Sequence, residues 1–421
     1  MVVKKLWSTV LTFIFLCNSN ADAATVYETK IYSNQVKSLR LKVNGQTDPM
    51  PVININGGML EVNFDILNYT RGRYAYSITC CNADWQKSTL SDIEYLDGFQ
   101  GMTIEDYSQS VATTTLYRNY RLFLPNDDVG LKIAGNYILE VYEEDNPQKV
   151  LFTARFAVIE KQVDITGTVH THTDIDFNKE HQQVDFEIDY RRFPVANPQN
   201  DLKVYVFQNT RTDNMKTGFR PQSITGNSVS YKHIPELIFE AGNEYRRIEF
   251  LTHRFGGMGI ERIQYFNPYY HADAITDKSR AQRAYQYDQD QNGRFFINCS
   301  DCEDPDTEAD YYIVHFAYEA GLIPKGNLYI NGDLVQNQLN GNTRMEYNPE
   351  TGLYEKALLL KQGHYNYQYL HIPENGTEAT PAIAEGNYYQ TENEYAILVY
   401  YRPPSARYDR LIGKQILRNQ Q

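Results

Sequence analysis

The chain has 421 residues, 42% hydrophobic and 22% charged, which places it outside the low-hydrophobicity regime of disordered chains and makes it long enough for several domains. Its formal net charge of −13 opposes a phosphate-backbone partner, so nucleic acid is disfavoured. Tyrosine stands out, with 35 Tyr against 19 Phe and 2 Trp, an amphipathic aromatic load that suits pleated sheets and protein interfaces.

At the start of the chain, Lys4 and Lys5 precede an apolar run over 6–17, followed by Ala21, Asp22 and Ala23. This pattern predicts a secretory signal peptide over 1–23, cleaved before Ala24. Bulky Phe15 and Leu16 stand where a lipoprotein would need small residues before Cys17. The apolar run is too short to span a bilayer and later apolar runs are strand-sized, so the mature chain is expected not to span a membrane.

Beyond the leader, period-two alternation recurs, as in Asp185-Phe-Glu-Ile-Asp-Tyr190, Leu202-Lys-Val-Tyr-Val-Phe207 and Tyr365-Asn-Tyr-Gln-Tyr-Leu370. These segments read as half-buried strands. Sustained helical periodicity is absent, and only residues 277–287 could host a brief helix. The fold class is therefore all-β, with tandem immunoglobulin-like or early-set β-sandwich domains. Strand trains predict a first sandwich over 24–160 and a second over 161–285. A hairpin and acidic linker follow over 286–310, then an early-set-like sandwich over 311–403 and a C-terminal tail over 404–421. The recurring Gly135-Asn-Tyr137, Gly363-His-Tyr365 and Gly386-Asn-Tyr388 resemble the tyrosine-corner habit of such sandwiches.

Few motifs point to chemistry. Cys80 and Cys81 are neighbours on a strand and face opposite sides, which disfavours a bridge between them. Cys299 and Cys302 have the spacing of half a zinc ribbon or a redox pair. No second pair follows and no helix supports a thioredoxin-like site, so a short local disulfide is the reading for an exported chain. Asp288-Gln-Asp-Gln-Asn-Gly293 matches the opening of a calcium loop, but Cys299 stands where the bidentate Glu belongs, and Asn292-Gly293 reads as a type I′ hairpin turn. His170 and His172 share a strand face near Glu180 and His181 without a complete zinc ligand set, and read as an exposed polar face. Nucleophile elbows and phosphate cradles are missing, so no catalytic residue, cofactor or metal is assigned.

One ordered set of segments carries identity. It comprises Cys81-Asn-Ala-Asp-Trp85, Tyr95-Leu-Asp-Gly-Phe99, Ile104-Glu-Asp-Tyr107, His181-Gln-Gln-Val-Asp-Phe186 and Phe239-Glu-Ala-Gly-Asn-Glu244. Asn292-Gly-Arg-Phe295, Tyr347-Asn-Pro-Glu-Thr-Gly352, Gly363-His-Tyr-Asn-Tyr-Gln-Tyr369, Tyr400-Tyr-Arg-Pro403 and Tyr408-Asp-Arg-Leu-Ile-Gly413 complete it. Together these resemble the type IX secretion system plug protein family of Bacteroidota, formerly a domain of unknown function, over nearly the whole mature chain. Cys80 departs from the His expected beside the first motif.

The resemblance implies a periplasmic, non-enzymatic protein associated with the outer membrane. It would dock on the outer-membrane β-barrel translocon and seal the barrel's periplasmic opening. It assigns no contact residues, and Trp85, Tyr95, Asp97 and Gly98 are read as packing and turn positions. A second reading is a periplasmic glycan-binding protein, because the third block looks like the early-set sandwiches of starch- and glycogen-binding modules. That block lacks their Trp platform, since Trp7 lies in the leader and Trp85 in the first block.

Overall fold

The computed structural model describes residues 25–48, 50–67, 72–323 and 325–419. The expected signal peptide over 1–23 lies outside the described residues. The chain is nearly all β, built from mainly antiparallel sheets that pack in pairs around three main apolar cores.

In the first unit, strands Val36–Val43, Leu60–Ile66, Tyr107–Gln109 and Arg118–Leu124 form one sheet. The facing sheet orders Lys30–Ile31, Asn146–Ile159, Gly135–Glu143, Tyr74–Cys81 and Met102–Thr103, with Val52–Asn54 paired parallel to Asn146–Ile159. Alternation explains what is buried. Leu60, Val62, Phe64 and Ile66 enter the core together, and Phe64 meets Tyr120 and Phe152 with ring centroids 5.4 and 4.8 Å apart.

The second unit pairs a sheet of Asp164–His170, His181–Asp189, Ser228–Tyr231 and Ser223–Ile224 with a sheet of Lys216–Thr217, Leu202–Gln208, Glu394–Tyr401 and Arg410–Arg418. Its core mixes Val184, Phe186 and Val204 with Tyr395, Ile397, Val399 and Ile412. The third unit is inserted between these strands. Arg246–Phe250, Gly363–Pro373, Phe295–Ile297 and Gly326–Asn331 form one of its sheets. Ile260–Phe266, Tyr269–Ala274, Tyr311–Glu319, Leu353–Lys361 and Glu346–Asn348 form the other.

The expected boundaries are corrected accordingly. The block over 161–285 contains strands Arg246–Phe250, Ile260–Phe266 and Tyr269–Ala274, which belong to the third core. The expected linker over 286–310 supplies Phe295–Ile297 to that same core and a short helix, Pro305–Glu308. The expected block over 311–403 loses Glu394–Tyr401 to the second unit, and the expected tail over 404–421 contains the edge strand Arg410–Arg418. The reason is physical: alternation tells which residues face a core but not which core, because sheet pairing is indifferent to sequence separation. Residues 277–287 form no helix. Asp277–Lys278 pairs parallel with Tyr311–Glu319, and Arg280 N donates to Ala384 O at 2.8 Å, so backbone bonds to other elements hold this segment in place of a helical ladder.

Candidate interaction surface

The residues singled out for chemistry are each engaged locally. Cys299 and Cys302 form a disulfide with Cα atoms 5.6 Å apart. Cys80 and Cys81 carry no bridge. Cys80 faces the first core while Cys81 packs with Trp85 and Ile138, and burial pushes their thiols up to about 11 and about 12. Asp288 is paired with Arg247 at 2.5 Å, and the Asp290 carboxylate accepts from Tyr245 N and, at 2.9 Å, from Asn292 N. Asn292 and Gly293 adopt φ of 52° and 87°, the expected left-handed turn. It does not close a hairpin, because Phe295–Ile297 pairs with Gly363–Pro373 and no strand precedes the turn. His170 lies 3.4 Å from Asp185, whereas His172 stacks on Phe177 with centroids 3.8 Å apart and His181 binds Asp176 at 2.7 Å. Among the described residues, no group of three or more His, Cys, Asp or Glu is arranged to hold a metal ion.

The segments that carry the family resemblance lie mostly where the units meet. Asp409 is fully buried; it accepts from Ala83 N and Lys203 Nζ, both at 3.0 Å, and so ties Cys81-Asn-Ala-Asp-Trp85 to Tyr408-Asp-Arg-Leu-Ile-Gly413. Beside it, Tyr400 OH donates to Asn136 Oδ1 at 2.7 Å across the same joint. Trp85 is buried with a positive φ of 62°, and the Arg155 guanidinium lies 4.6 Å from its ring centroid. Tyr95 is core, Asp97 is exposed, and a Cβ at Gly98 would lie 1.9 Å from Asp128 O, so Gly98 requires glycine.

The joint between the first and third units is ionic. Asp65 alternates out of the first core, and its Oδ2 accepts from Lys361 Nζ at 2.7 Å and Tyr311 OH at 2.6 Å. Its Oδ1 accepts from Asn119 Nδ2 at 2.7 Å. Both Asp65 and Lys361 side chains are 0% exposed, a placement tolerated only when every valence finds a partner. Lys361 meets this by donating to Asp306 O at 2.7 Å and lying 4.1 Å from the Tyr117 ring centroid. Burial lowers the Lys361 ammonium from its ordinary pKa, with Asp65 opposing, and raises the Tyr311 phenol, with Asp65 reinforcing. Next to them, burial works against the Asp306 carboxylate, yet Arg40 at 2.8 Å holds its pKa below the ordinary value. Asp310 completes the seam by accepting from Thr114 N at 2.7 Å and Thr115 N at 2.9 Å.

The second and third units meet through Glu394, paired with Arg294 and Arg418, whereas Glu385 is fully buried between Arg246 and Arg280 within the third unit. Where all three units converge, a cleft of about 590 Å³ opens, lined by Trp85, Arg155, Phe207, Phe295, Asp333 and Leu398. Two of its polar groups are already engaged within the chain. Arg155 Nε donates to Tyr27 O at 2.6 Å, and the Asp333 carboxyl, pushed up to about 6 by burial, accepts from Asn337 at 2.8 Å.

Exposed aromatics on the outer surface include two neighbours on one hairpin. Strands Ile260–Phe266 and Tyr269–Ala274 pair through Tyr265–Tyr270 and Phe266–Tyr269, with Asn267 and Pro268 at the turn. Tyr265 is 50% and Phe266 57% exposed, and Phe255, Met258 and Ile275 are exposed near the hairpin's base. Sequence reading passed over this hairpin, although its run of Ile263, Tyr265, Phe266, Tyr269 and Tyr270 is written plainly. Among the described residues no helix is long and apolar enough to cross a membrane.

Residues 36–160 match the family model described as type 9 secretion system plug protein 1st domain. A crystal structure of a hypothetical protein from Parabacteroides merdae is 53% identical in sequence and superposes with a TM-score of 0.93, covering 94% of this chain and 100% of that chain. No protein with curated annotation matches the chain.

Proposed function

The chain belongs to the type IX secretion system plug protein family, and from that premise we propose that it is a periplasmic stopper. It binds the outer-membrane β-barrel translocon of that system and closes the barrel's periplasmic opening when no substrate is passing. The observation that carries the reading is the family match over 36–160. The joints support it: a seal must resist deformation, and buried ion pairs such as Asp65–Lys361 and Glu394–Arg294 favour one relative placement of the units. The activity is binding alone, with no chemical step. A contact of this kind needs on the order of 1,000 Å² of buried surface.

Deleting the gene in cells that retain the barrel is the test. The outer membrane is expected to become permeable to solutes too large for ordinary porins while secretion itself changes little. Unchanged permeability, or a purified protein that binds a glycan tightly and no barrel, overturns the reading.

A further inference from the structure

Strands that end a sheet expose a row of unpaired N–H and C=O groups, and proteins usually shorten, charge or cover such edges. Most terminal strands here are two or three residues long, including Lys30–Ile31, Met102–Thr103, Ser223–Ile224, Lys216–Thr217 and Glu346–Asn348. The longer ones are managed. Val36–Val43 lies against the third unit through Ser38 and Arg40, which bond Tyr311 and Asp306 at 2.8 Å. Arg410–Arg418 receives Gln162 N at Ile412 O, 2.8 Å, and Asp164–His170 is polar, with Asp164 and Thr166 exposed.

Ile260–Phe266 is neither shortened nor covered. It ends its sheet, is seven residues long, is exposed along most of its length, and pairs with no strand but Tyr269–Ala274 among the described residues. Its only charges, Glu261 and Arg262, sit at the base, and Arg262 is matched by Asp273 at 2.6 Å. From Ile263 to Phe266 the edge carries no charge at all, on a chain whose net charge is −13. In an antiparallel ladder closed at Phe266–Tyr269, Gln264 and Phe266 aim their backbone groups at the neighbouring strand, and Ile263 and Tyr265 aim theirs outward.

We propose that Ile260–Phe266 is the docking edge of this protein, which takes up an uncharged extended segment of the partner barrel as an added antiparallel or parallel strand. The backbone row selects an extended chain, because only another strand satisfies alternate outward N–H and C=O groups. The neutral distal half admits a strand that the acidic remainder of the surface would repel if it carried carboxylates. Tyr265 and Phe266 then cover the incoming strand's side chains, the amphipathic rings acting as anchors of the contact. The inference rests on the plug reading and gives it a location.

The test uses the mature protein and the solubilised barrel. In the complex, amide hydrogen exchange at Ile263 and Tyr265 is expected to slow by about tenfold or more, as new strand bonds protect outward amides. Tyr265→Pro, which removes an outward N–H, and Phe266→Lys, which charges the edge, are each expected to weaken binding by about tenfold or more. The lysine variant leaves the ladder intact, so it decides the matter if the proline variant is misfolded. Tight binding with unchanged exchange at 260–266 and an unaffected lysine variant overturns the docking edge while leaving the plug reading standing. Failure of the wild-type protein to bind any barrel takes both away. Protection of the same amides in the barrel-free protein at rising concentration assigns the edge to self-association and overturns the proposal.

Discussion

The seam between the first and third units and the hairpin over 260–274 are both made of strand surface rich in Tyr, yet they are finished differently. At the seam the fully buried Asp65, Lys361, Tyr311 and Asn119 meet one another at 2.6 to 2.7 Å, and Lys361 also donates to the Asp306 carbonyl at 2.7 Å. On the hairpin the aromatic rings face solvent and a backbone edge is unpaired. The first arrangement fixes shape, because a charge buried without its partner is far costlier than the pair. The second keeps interaction capacity in reserve. The stopper proposed above would use both, in separate places.

The contrast predicts a ranking. Lys361→Met leaves Asp65 buried without a counter-charge and is expected to cost about 3–5 kcal/mol in urea unfolding, with Asp65→Asn added to it restoring much of the loss. A double variant no better than Lys361→Met would show that the seam acts through packing and not through the ion pair. Asp409→Ala strips the acceptor from Ala83 N and Lys203 and is expected to cost about 1–3 kcal/mol by the same measurement. Asp290 gives a pH signature. Burial pushes its carboxyl up to about 7, so the folded chain holds a proton that the unfolded chain, near the ordinary 3.8, has released. Its contribution is therefore present below pH 4 and is lost as pH rises towards 7. Melting across that window should show a decline that Asp290→Asn flattens. Smallest of all, Tyr265→Ala and Phe266→Ala should change unfolding free energy by no more than about 0.5 kcal/mol, since exposed side chains contribute little to folding. A large loss there would make the hairpin part of the core architecture.

Strand existence was legible in the sequence, and the allotment of strands to units was not. Leu202–Gln208 and Gly363–Pro373 lie where alternation puts them. Their partners are another matter. Leu202–Gln208 pairs with Glu394–Tyr401, nearly two hundred residues later, and nothing in a period-two pattern encodes that distance. The polar halves of the alternation also misled. In the alternating segments read as half-buried strands, Asp185, Asn366 and Gln368 are buried, as are Gln182 and Gln183 just before the first of them, because other elements cover those faces. Gln182 Nε2, for example, donates to the carbonyls of Tyr389 and Thr391 at 2.8 Å. The joints stayed hidden for the same reason: a carboxylate bound for a buried pair looks in sequence like one bound for water. Asp306 sits in the acidic run over 301–310 that reads as a linker, and it bonds Arg40 and Asn63 of the first unit.

If this chain closes a pore by fitting it, as proposed, electrical recording shows that most directly. With the translocon barrel reconstituted in a planar bilayer, adding the mature protein to the periplasmic side should collapse the conductance, and Phe266→Lys should require a markedly higher concentration to do so. Conductance that stays open at saturating wild-type protein would contradict the account.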